Sequence, residues 1–332
     1  MERWIQSPRR DPCNLCRGEQ FQQLSLLDRK GRELVTVVCG QCGLVSHEHI
    51  PNDRELEDYY LRQYRQEYHQ EYTPSAYRVV REWKRGGHLV EMLQPFLDSS
   101  DRVLEIGSGI GCTVKQFELA GFASSGIEPG DGFCRFSEER LHAQVRQASL
   151  ADLSRKPESE LVMLVHVLEH LNDPQQALQH MRELLTDSGQ LYVEVPNFGL
   201  PHAAPGKLFH FAHIYNFTSA TLKMLGRSSG FEVEAELSSE TDRNLRILFR
   251  KSGTVAWNLD SESYRNSIEA FTRYNVWSYY LRWSYLSERL KTVWRHRRER
   301  WQAASGLARL EQSCVAGEKG MQRPGSDGLQ AA

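Results

Sequence analysis

What this chain of 332 residues lacks narrows its class first. No window approaches the uninterrupted apolar length of a bilayer span, so no membrane helix is expected. Met1 to Arg10 is polar and charged with no apolar segment, nothing there resembles an export signal, and the expectation is a soluble, cytoplasmic protein. Net charge is also missing: 41 Lys and Arg against 43 Asp and Glu leave −2, which offers no long-range field for capturing nucleic acid. Cysteine is sparse at seven, and Cys112, Cys134 and Cys314 have no partner nearby in sequence, which argues against a disulfide framework.

The other four cysteines are paired, as Cys13-Asn-Leu-Cys16 and Cys39-Gly-Gln-Cys42-Gly43. Two residues between cysteines let both sulfurs face one ion, with Gly40 and Gly43 easing the second turn. The spacer between the pairs is longer than usual, but a ribbon hairpin of Phe21 to Leu27 and Glu33 to Val38 absorbs it. Four thiolates complete a tetrahedron and leave no open position, so Cys13, Cys16, Cys39 and Cys42 are expected to hold a structural zinc ion and not a catalytic one.

From Asp101 to Lys251, short β-type runs alternate with amphipathic helical stretches, the pattern of a mostly parallel, doubly wound sheet. The expected strands are Arg102 to Ile106, Ala123 to Glu128, Gln144 to Gln147, Leu161 to His166 and Gly189 to Val195. Phe231 to Leu237 and Leu245 to Arg250 follow with only a polar turn between them, which predicts a closing antiparallel hairpin.

The chemical centre is the run Val103-Leu104-Glu105-Ile106-Gly107-Ser108-Gly109-Ile110-Gly111, a strand followed by a glycine loop and a helix. Glycines there let backbone approach a ligand lying over the strand ends. A dinucleotide fingerprint would place a third glycine where Cys112 stands and needs no acid at Glu105. A carboxylate beside the loop suits S-adenosylmethionine, which carries a sulfonium and an ammonium and no pyrophosphate. Glu128, ending the second strand in Gly126-Ile127-Glu128-Pro129, is placed to accept from both ribose hydroxyls, after which Pro129 turns the chain away.

Further stretches agree: His166-Val-Leu-Glu169-His170-Leu-Asn-Asp173-Pro174, Leu191-Tyr-Val-Glu-Val-Pro196-Asn197, and the passage from Phe217-Thr218 to Gly230-Phe231. Together with the glycine loop they resemble the class I S-adenosylmethionine-dependent methyltransferases, the ubiquinone-type subgroup in particular, over Arg102 to Arg250. From Cys13 onward the chain is similar to bacterial members with an N-terminal four-cysteine zinc segment, deoxysugar methyltransferases among them. The resemblance implies a Rossmann-like seven-stranded sheet in which Gly107, Ser108, Gly109 and Gly111 touch the methionine part of S-adenosylmethionine and Glu128 the ribose. It also implies that Ser149 and Leu150 touch the adenine and that His166 lies near the reactive methyl. One departure concerns the adenine, since Gln147-Ala148-Ser149-Leu150 offers a serine where relatives often have an acid or amide.

Methyl transfer from a sulfonium needs positioning, and a base where the acceptor is protonated. Candidates are His166, His170, His210 and His213, with His166, His170 and His213 put forward as catalytic. His166 to His170 also spells the H-x-x-E-H of inverted zinc proteases, but His166 ends a strand here and the helix is expected only near Asp173-Pro174. Some relatives hold a divalent cation at positions like Glu169 and His170, where His166 replaces an acid. The insert from Asn197 to Asn216 is rich in Pro, His and aromatics and is expected to wall the acceptor pocket. Sugar C-methyltransferases tend to show a His-Glu-His cluster where this chain has Phe211-Ala212-His213, so O-methylation of a small molecule or sugar or glycan intermediate is preferred, with C- or N-methylation as the alternative.

The expected organisation is a zinc ribbon (1–50), a helical connector (51–100), the methyltransferase domain (101–251), an amphipathic helical extension (252–316) and a disordered tail (317–332). The connector is tyrosine-rich, with Tyr59, Tyr60, Tyr64, Tyr68, Tyr72 and Tyr77 read as packing groups. In the extension, aromatics from Phe271 to Trp301 recur at helical spacing and are expected to bury on the chain itself, on a second copy in a homodimer, or on a partner. Two competing readings are a nicotinamide dehydrogenase and a non-catalytic zinc-ribbon adaptor.

Overall fold

The computed structural model describes residues 4–5, 11–52, 54–56, 74–200, 203–204, 206–253, 258–274, 276–281 and 283–321. The tyrosines at 59, 60, 64, 68 and 72, the insert residues Pro201, His202 and Pro205, and the tail beyond Met321 lie outside them, as do the side chains of 282–295 and 317–321. Two compact units emerge, one of residues 1–70 and 152–291 and one of residues 71–151 and 292–332.

In the first unit, the ribbon begins with β1 (Trp4–Ile5), β2 (Phe21–Leu27), β3 (Glu33–Cys39) and β4 (Val45–His47). The β2–β3 hairpin closes on Asp28, whose Oδ1 accepts from the N–H groups of Lys30 and Arg32 at 2.8 and 2.9 Å. Gly31 supplies the left-handed turn at φ 81°. The fifth strand of this sheet comes from far along the chain: β10 (Tyr215–Asn216) pairs antiparallel with β4, Tyr215 opposite Ser46. Val38 and Val45 are fully buried in a core shared with Phe198, Leu208, Phe209 and Ala270.

The same unit contains β8 (Ser159–Val165), β9 (Leu185–Pro196), β11 (Phe231–Glu236) and β12 (Asn244–Lys251). β8 and β9 are parallel, while β12 runs antiparallel to both β9 and β11, the closing hairpin the sequence predicts. Leu161, Val162, Met163 and Leu164 are 0% exposed, as an unbroken apolar run must be in a strand covered on both faces. Each such side chain contributes about 1.5–3 kcal/mol. The helix α4 (Pro174–Leu184) starts where Asp173 accepts from the Gln176 N–H at 2.9 Å and Pro174 presets the first turn. Two further helices follow, α5 (Ser219–Ser228), capped by Thr218, and α6 (Ser263–Thr272).

In the second unit, β5 (Arg102–Ile106), β6 (Ala123–Glu128) and β7 (Val145–Gln147) pair in parallel. The helices α1 (Ala76–Leu93), α2 (Cys112–Leu119) and α3 (Asp131–Phe136) flank them. All seven strands make one mixed sheet in the order β11-β12-β9-β8-β5-β6-β7. β9 begins four residues before the expected Gly189, and its pairing with β8 shifts register between Ser159 and Leu161, so its first residues form an irregular stretch of strand.

After the short α7 (Val276–Tyr280), the long α8 (Trp283–Met321) runs past Gly317, where the composition ends the helical region. Within the second unit its Leu310 and Cys314 pack with Val79, Cys112 and Val114, with Leu307 alongside. Among the described side chains of α8, Ala303, Leu310 and Cys314 are buried with Leu307 packed alongside, whereas Trp301, two positions off that stripe, is 85% exposed. Among the described residues, no helix is long and apolar enough to cross a membrane.

Helix α6 is locked onto the second cysteine pair. Ser267 Oγ donates to the Gly43 carbonyl at 2.7 Å, and a Cβ at Gly43 would lie 2.5 Å from the Ser263 carbonyl oxygen in a backbone at φ +72°. Gly43→Ala is therefore expected to lower unfolding free energy by about 3 kcal/mol, from overlap and left-handed strain. An unchanged urea midpoint would contradict that packing.

Candidate active site

In the second unit the glycine loop leaves β5 with Gly107, Gly109 and Gly111 at φ 69°, 56° and 75°. A Cβ at Gly109 would meet nothing within 4 Å, so the loop presents open backbone there. At Gly111 the demand is internal, because a Cβ would meet Ser137 Oγ at 2.1 Å, and Gly111 serves as the left-handed N-cap of α2. Ser108 is buried, its N–H donating to the Ile127 carbonyl at 2.9 Å.

Glu128 ties the loop to the end of β6. Its Oε2 accepts from the Gly109 N–H at 3.0 Å and its Oε1 from the Gly130 N–H at 2.9 Å. Burial pushes its carboxyl up, opposed by those two N–H groups and by the charge of Arg78. Each oxygen keeps a second lone pair for a ligand hydroxyl. The Ala148 N–H donates to the Glu128 carbonyl at 3.2 Å, which sets Ser149, exposed, and Leu150, half-buried, immediately beyond Glu128, and Gln147 Nε2 donates to the Pro129 carbonyl at 3.3 Å.

Glu105 faces the interior. It is 4% exposed, its Oε2 has no partner, and burial pushes its carboxyl up to about 8 despite Arg85 and a hydrogen bond with Thr113. A buried oxygen without a partner is costly unless something supplies a donor, as an ammonium group would.

In the first unit, His166 follows β8 at φ 56°. Its Nδ1 lies 3.2 Å from Glu169 Oε1, and its Nε2 lies 3.2 Å from Asn244 Nδ2. Asn244 Nδ2 also donates to Glu194 Oε1 at 2.6 Å, so the amide nitrogen must face both groups; His166 Nε2 then accepts, and its proton sits on Nδ1. Both ring nitrogens of His166, expected from the sequence as a base near the reactive methyl, thus have partners within the protein. Burial alone would push Glu169 up, but the hydrogen bond from His166 and the charge of His170 outweigh it and hold the carboxyl below the usual range. His170 Nδ1 donates to the Ala212 carbonyl at 2.6 Å, and its ring stands 5.0 Å from that of His213, which lies 3.9 Å from that of His210.

Two residues of this cluster have no site role in the sequence reading. Glu194 is 2% exposed, also accepting from Tyr192 Oη at 2.9 Å, and Asn244 starts β12 opposite Pro196. A lone acid inside the apolar run Leu191 to Val195 is the signal that could have found Glu194.

The four cysteine sulfurs converge, with Cys13 and Cys42 Sγ atoms 3.6 Å apart, Cys16 and Cys39 3.5 Å apart, and all four within 4.8 Å. Tetrahedral zinc with bonds of about 2.3 Å sets sulfurs about 3.8 Å apart, so the residues fit that ion. The Gly18 N–H donates to Cys16 Sγ at 3.4 Å, the backbone support a thiolate knuckle needs.

For Glu105 the sign of the pH effect follows from its raised carboxyl. The folded state binds its proton more tightly than the unfolded chain, so stability should fall as pH rises from about 4.5 to about 8 and level off above that. In urea unfolding at pH 5, 6.5 and 8, Glu105→Gln is expected to flatten that decline; an identical slope in the variant would contradict the interior placement.

Residues 60–236, more than half of the chain, match a family model described as a methyltransferase domain. No curated protein matches the sequence. Among solved structures, a magnesium protoporphyrin IX methyltransferase from Synechocystis with bound SAH is 16% identical, with 60% of this chain and 100% of that one covered at a TM-score of 0.45. A 1,6-didemethyltoxoflavin-N1-methyltransferase from Burkholderia thailandensis is 18% identical, covering 59% and 85% at 0.41. A SAM-dependent methyltransferase from Archaeoglobus fulgidus is 18% identical, covering 51% and 94% at 0.42. With that domain model spanning the glycine loop, Glu128 and the histidine segment after β8, the chain belongs to the methyltransferase domain family.

Proposed function

We propose that this methyltransferase moves the methyl group of S-adenosylmethionine to a hydroxyl of a small molecule or sugar or glycan intermediate. The observation that carries the donor is the Glu128 carboxylate bound to the Gly109 N–H beside open backbone. Gly107, Ser108 and Gly109 line the methionine part, Glu128 and Pro129 the ribose, and Ser149 and Leu150 the adenine. Glu105 offers its unpartnered oxygen to the donor's ammonium group. The donor supplies an electrophilic methyl whose bond to sulfur breaks as the bond to the acceptor oxygen forms, the sulfur keeping the electron pair.

His213 takes the hydroxyl proton. His170, with Nδ1 committed to the Ala212 carbonyl, keeps His213 company in the ring cluster, and Glu169, held ionised by His166, balances the imidazolium that results. A positioned base of this kind contributes about 10²–10⁴-fold.

One observation favours a second reading. Glu169, His170 and His213 each offer a ligand atom, all within 4.8 Å, and buried Glu169 Oε2 has no partner. That set could hold a divalent cation that orients an acceptor with two oxygens. Activity that falls on dialysis against EDTA and returns with magnesium or manganese supports this reading; EDTA-insensitive activity rules it out.

Glu128→Ala is expected to weaken S-adenosylmethionine binding by about 2 kcal/mol, read by calorimetry, because charged acceptor bonds are lost. Unchanged affinity would remove Glu128 from the site. With a panel of hydroxylated acceptors including sugar nucleotides, scored by S-adenosylhomocysteine release, His213→Ala should lower kcat about 10²-fold or more while donor affinity holds. Full activity in that variant would end the proposed role of His213.

A further inference from the structure

We infer that the zinc ribbon is the frame of the histidine cluster: the four-cysteine site, acting through Asn14, His47 and strand β4, fixes the two backbone segments that carry His170 and His213. The inference rests on the proposed role of His213 only for its consequence in catalysis; the mechanical coupling stands on its own.

The first segment is the turn after β8. Asn14, inside the first cysteine pair, donates through Nδ2 to the Asn172 carbonyl at 3.4 Å. Tyr215 Oη donates to the same carbonyl at 2.9 Å, and Tyr215 is the β10 residue paired with Ser46 of the ribbon. Asn172 is therefore held from both sides, two residues from His170.

The second segment is the insert. His47, 1% exposed at the end of β4, donates its backbone N–H to the Ile214 carbonyl at 3.0 Å, and its Nε2 lies 3.0 Å from the Phe211 carbonyl oxygen. A carbonyl oxygen only accepts, so His47 carries the proton on Nε2 and donates there. These two bonds straddle Ala212 and His213, and Ala212 supplies the carbonyl that orients His170. The hairpin adds a third anchor: the Arg29 N–H donates to the Phe209 carbonyl at 2.8 Å and Lys207 Nζ to the Arg29 carbonyl at 2.8 Å.

The insert's strand β10 spans only Tyr215–Asn216 and finds its sheet partner in β4. The ribbon in turn is a short β meander, and segments of that size depend on a metal for their fold. His47 is accordingly a positioning residue. Zinc, with its closed coordination, would take no part in the chemistry and still decide whether the histidines are in place.

The test uses the full chain, loaded with zinc and then stripped with 1,10-phenanthroline, with zinc release read by 4-(2-pyridylazo)resorcinol. Hydrogen exchange should accelerate about tenfold or more at amides 45–47 and 213–216 together, while β5 amides 102–106 keep their protection. Acceleration that stops at the ribbon and spares 213–216 would overturn the inference, as would a purified chain without zinc whose insert is protected. Should stripping unfold the whole chain, the double variant Asn14→Ala/His47→Ala decides, because it keeps all four cysteines. It is expected to retain one zinc per chain and its donor affinity, while exchange at 213–216 and carbethoxylation of His213 by diethyl pyrocarbonate rise about tenfold. His47→Gln, which restores a donor near Nε2, should recover part of that protection. Wild-type rates in the double variant would refute the coupling, whereas an inactive role for His213 would leave it intact and refute only the proposed base.

Discussion

The hydrogen bond from the Gly109 N–H to the Glu128 carboxylate is the contact on which the proposed donor site depends. It joins the loop after β5 to the end of β6, and it requires that the loop bend without side chains and that an acid sit where β6 stops. Glu128 meets the cost of partial burial with two backbone N–H groups, one from Gly109 and one from Gly130, and still has lone pairs to offer. Replacing the acid would therefore leave both N–H groups without that partner and disturb the loop. Glu105 is a different kind of acid, enclosed behind the loop with one oxygen unmatched and its charge disfavoured by burial. A cation brought beside it, as proposed for the donor's ammonium group, would draw its proton off.

In the other unit the organising acid is Glu194, one of the few charged groups inside the sheet. It orients Asn244, which fixes the His166 tautomer, which holds Glu169 ionised. Chains of this kind set a single proton arrangement because each member can satisfy its neighbour in only one way. The left-handed backbone at His166 belongs to the same constraint, since a non-glycine residue at φ 56° persists only where its surroundings over-determine it.

Local signals were legible in the sequence. Strands β5 and β6 coincide with the expected bounds, and β7 differs by one residue, because apolar runs beside glycine and proline declare both pitch and ends. The α4 start at Asp173-Pro174 and the convergence of the four cysteines were equally plain. Long-range pairing was not. Nothing in Tyr215-Asn216 announces a strand, since two residues carry no periodicity, and the partner Ser46 lies far away in sequence. His47 and Asn14 carry no signal of their contacts for the same reason, and the link from Glu194 to the cluster emerges only with β9 and β12 side by side. In the C-terminal helix, Leu310 and Cys314 are buried because they fit closely against α1 and α2, while the aromatic side chains from Trp283 to Trp294 lie outside the described residues. The family match to a methyltransferase domain disposes of the dehydrogenase reading that the glycine loop alone left open.

Calorimetric titration of the full chain with S-adenosylmethionine and, separately, with NAD tests the central claim most directly. The account predicts saturable binding of one S-adenosylmethionine per chain, with proton release into the buffer as Glu105 ionises, and no heat from NAD. Binding of NAD with none of S-adenosylmethionine would contradict it.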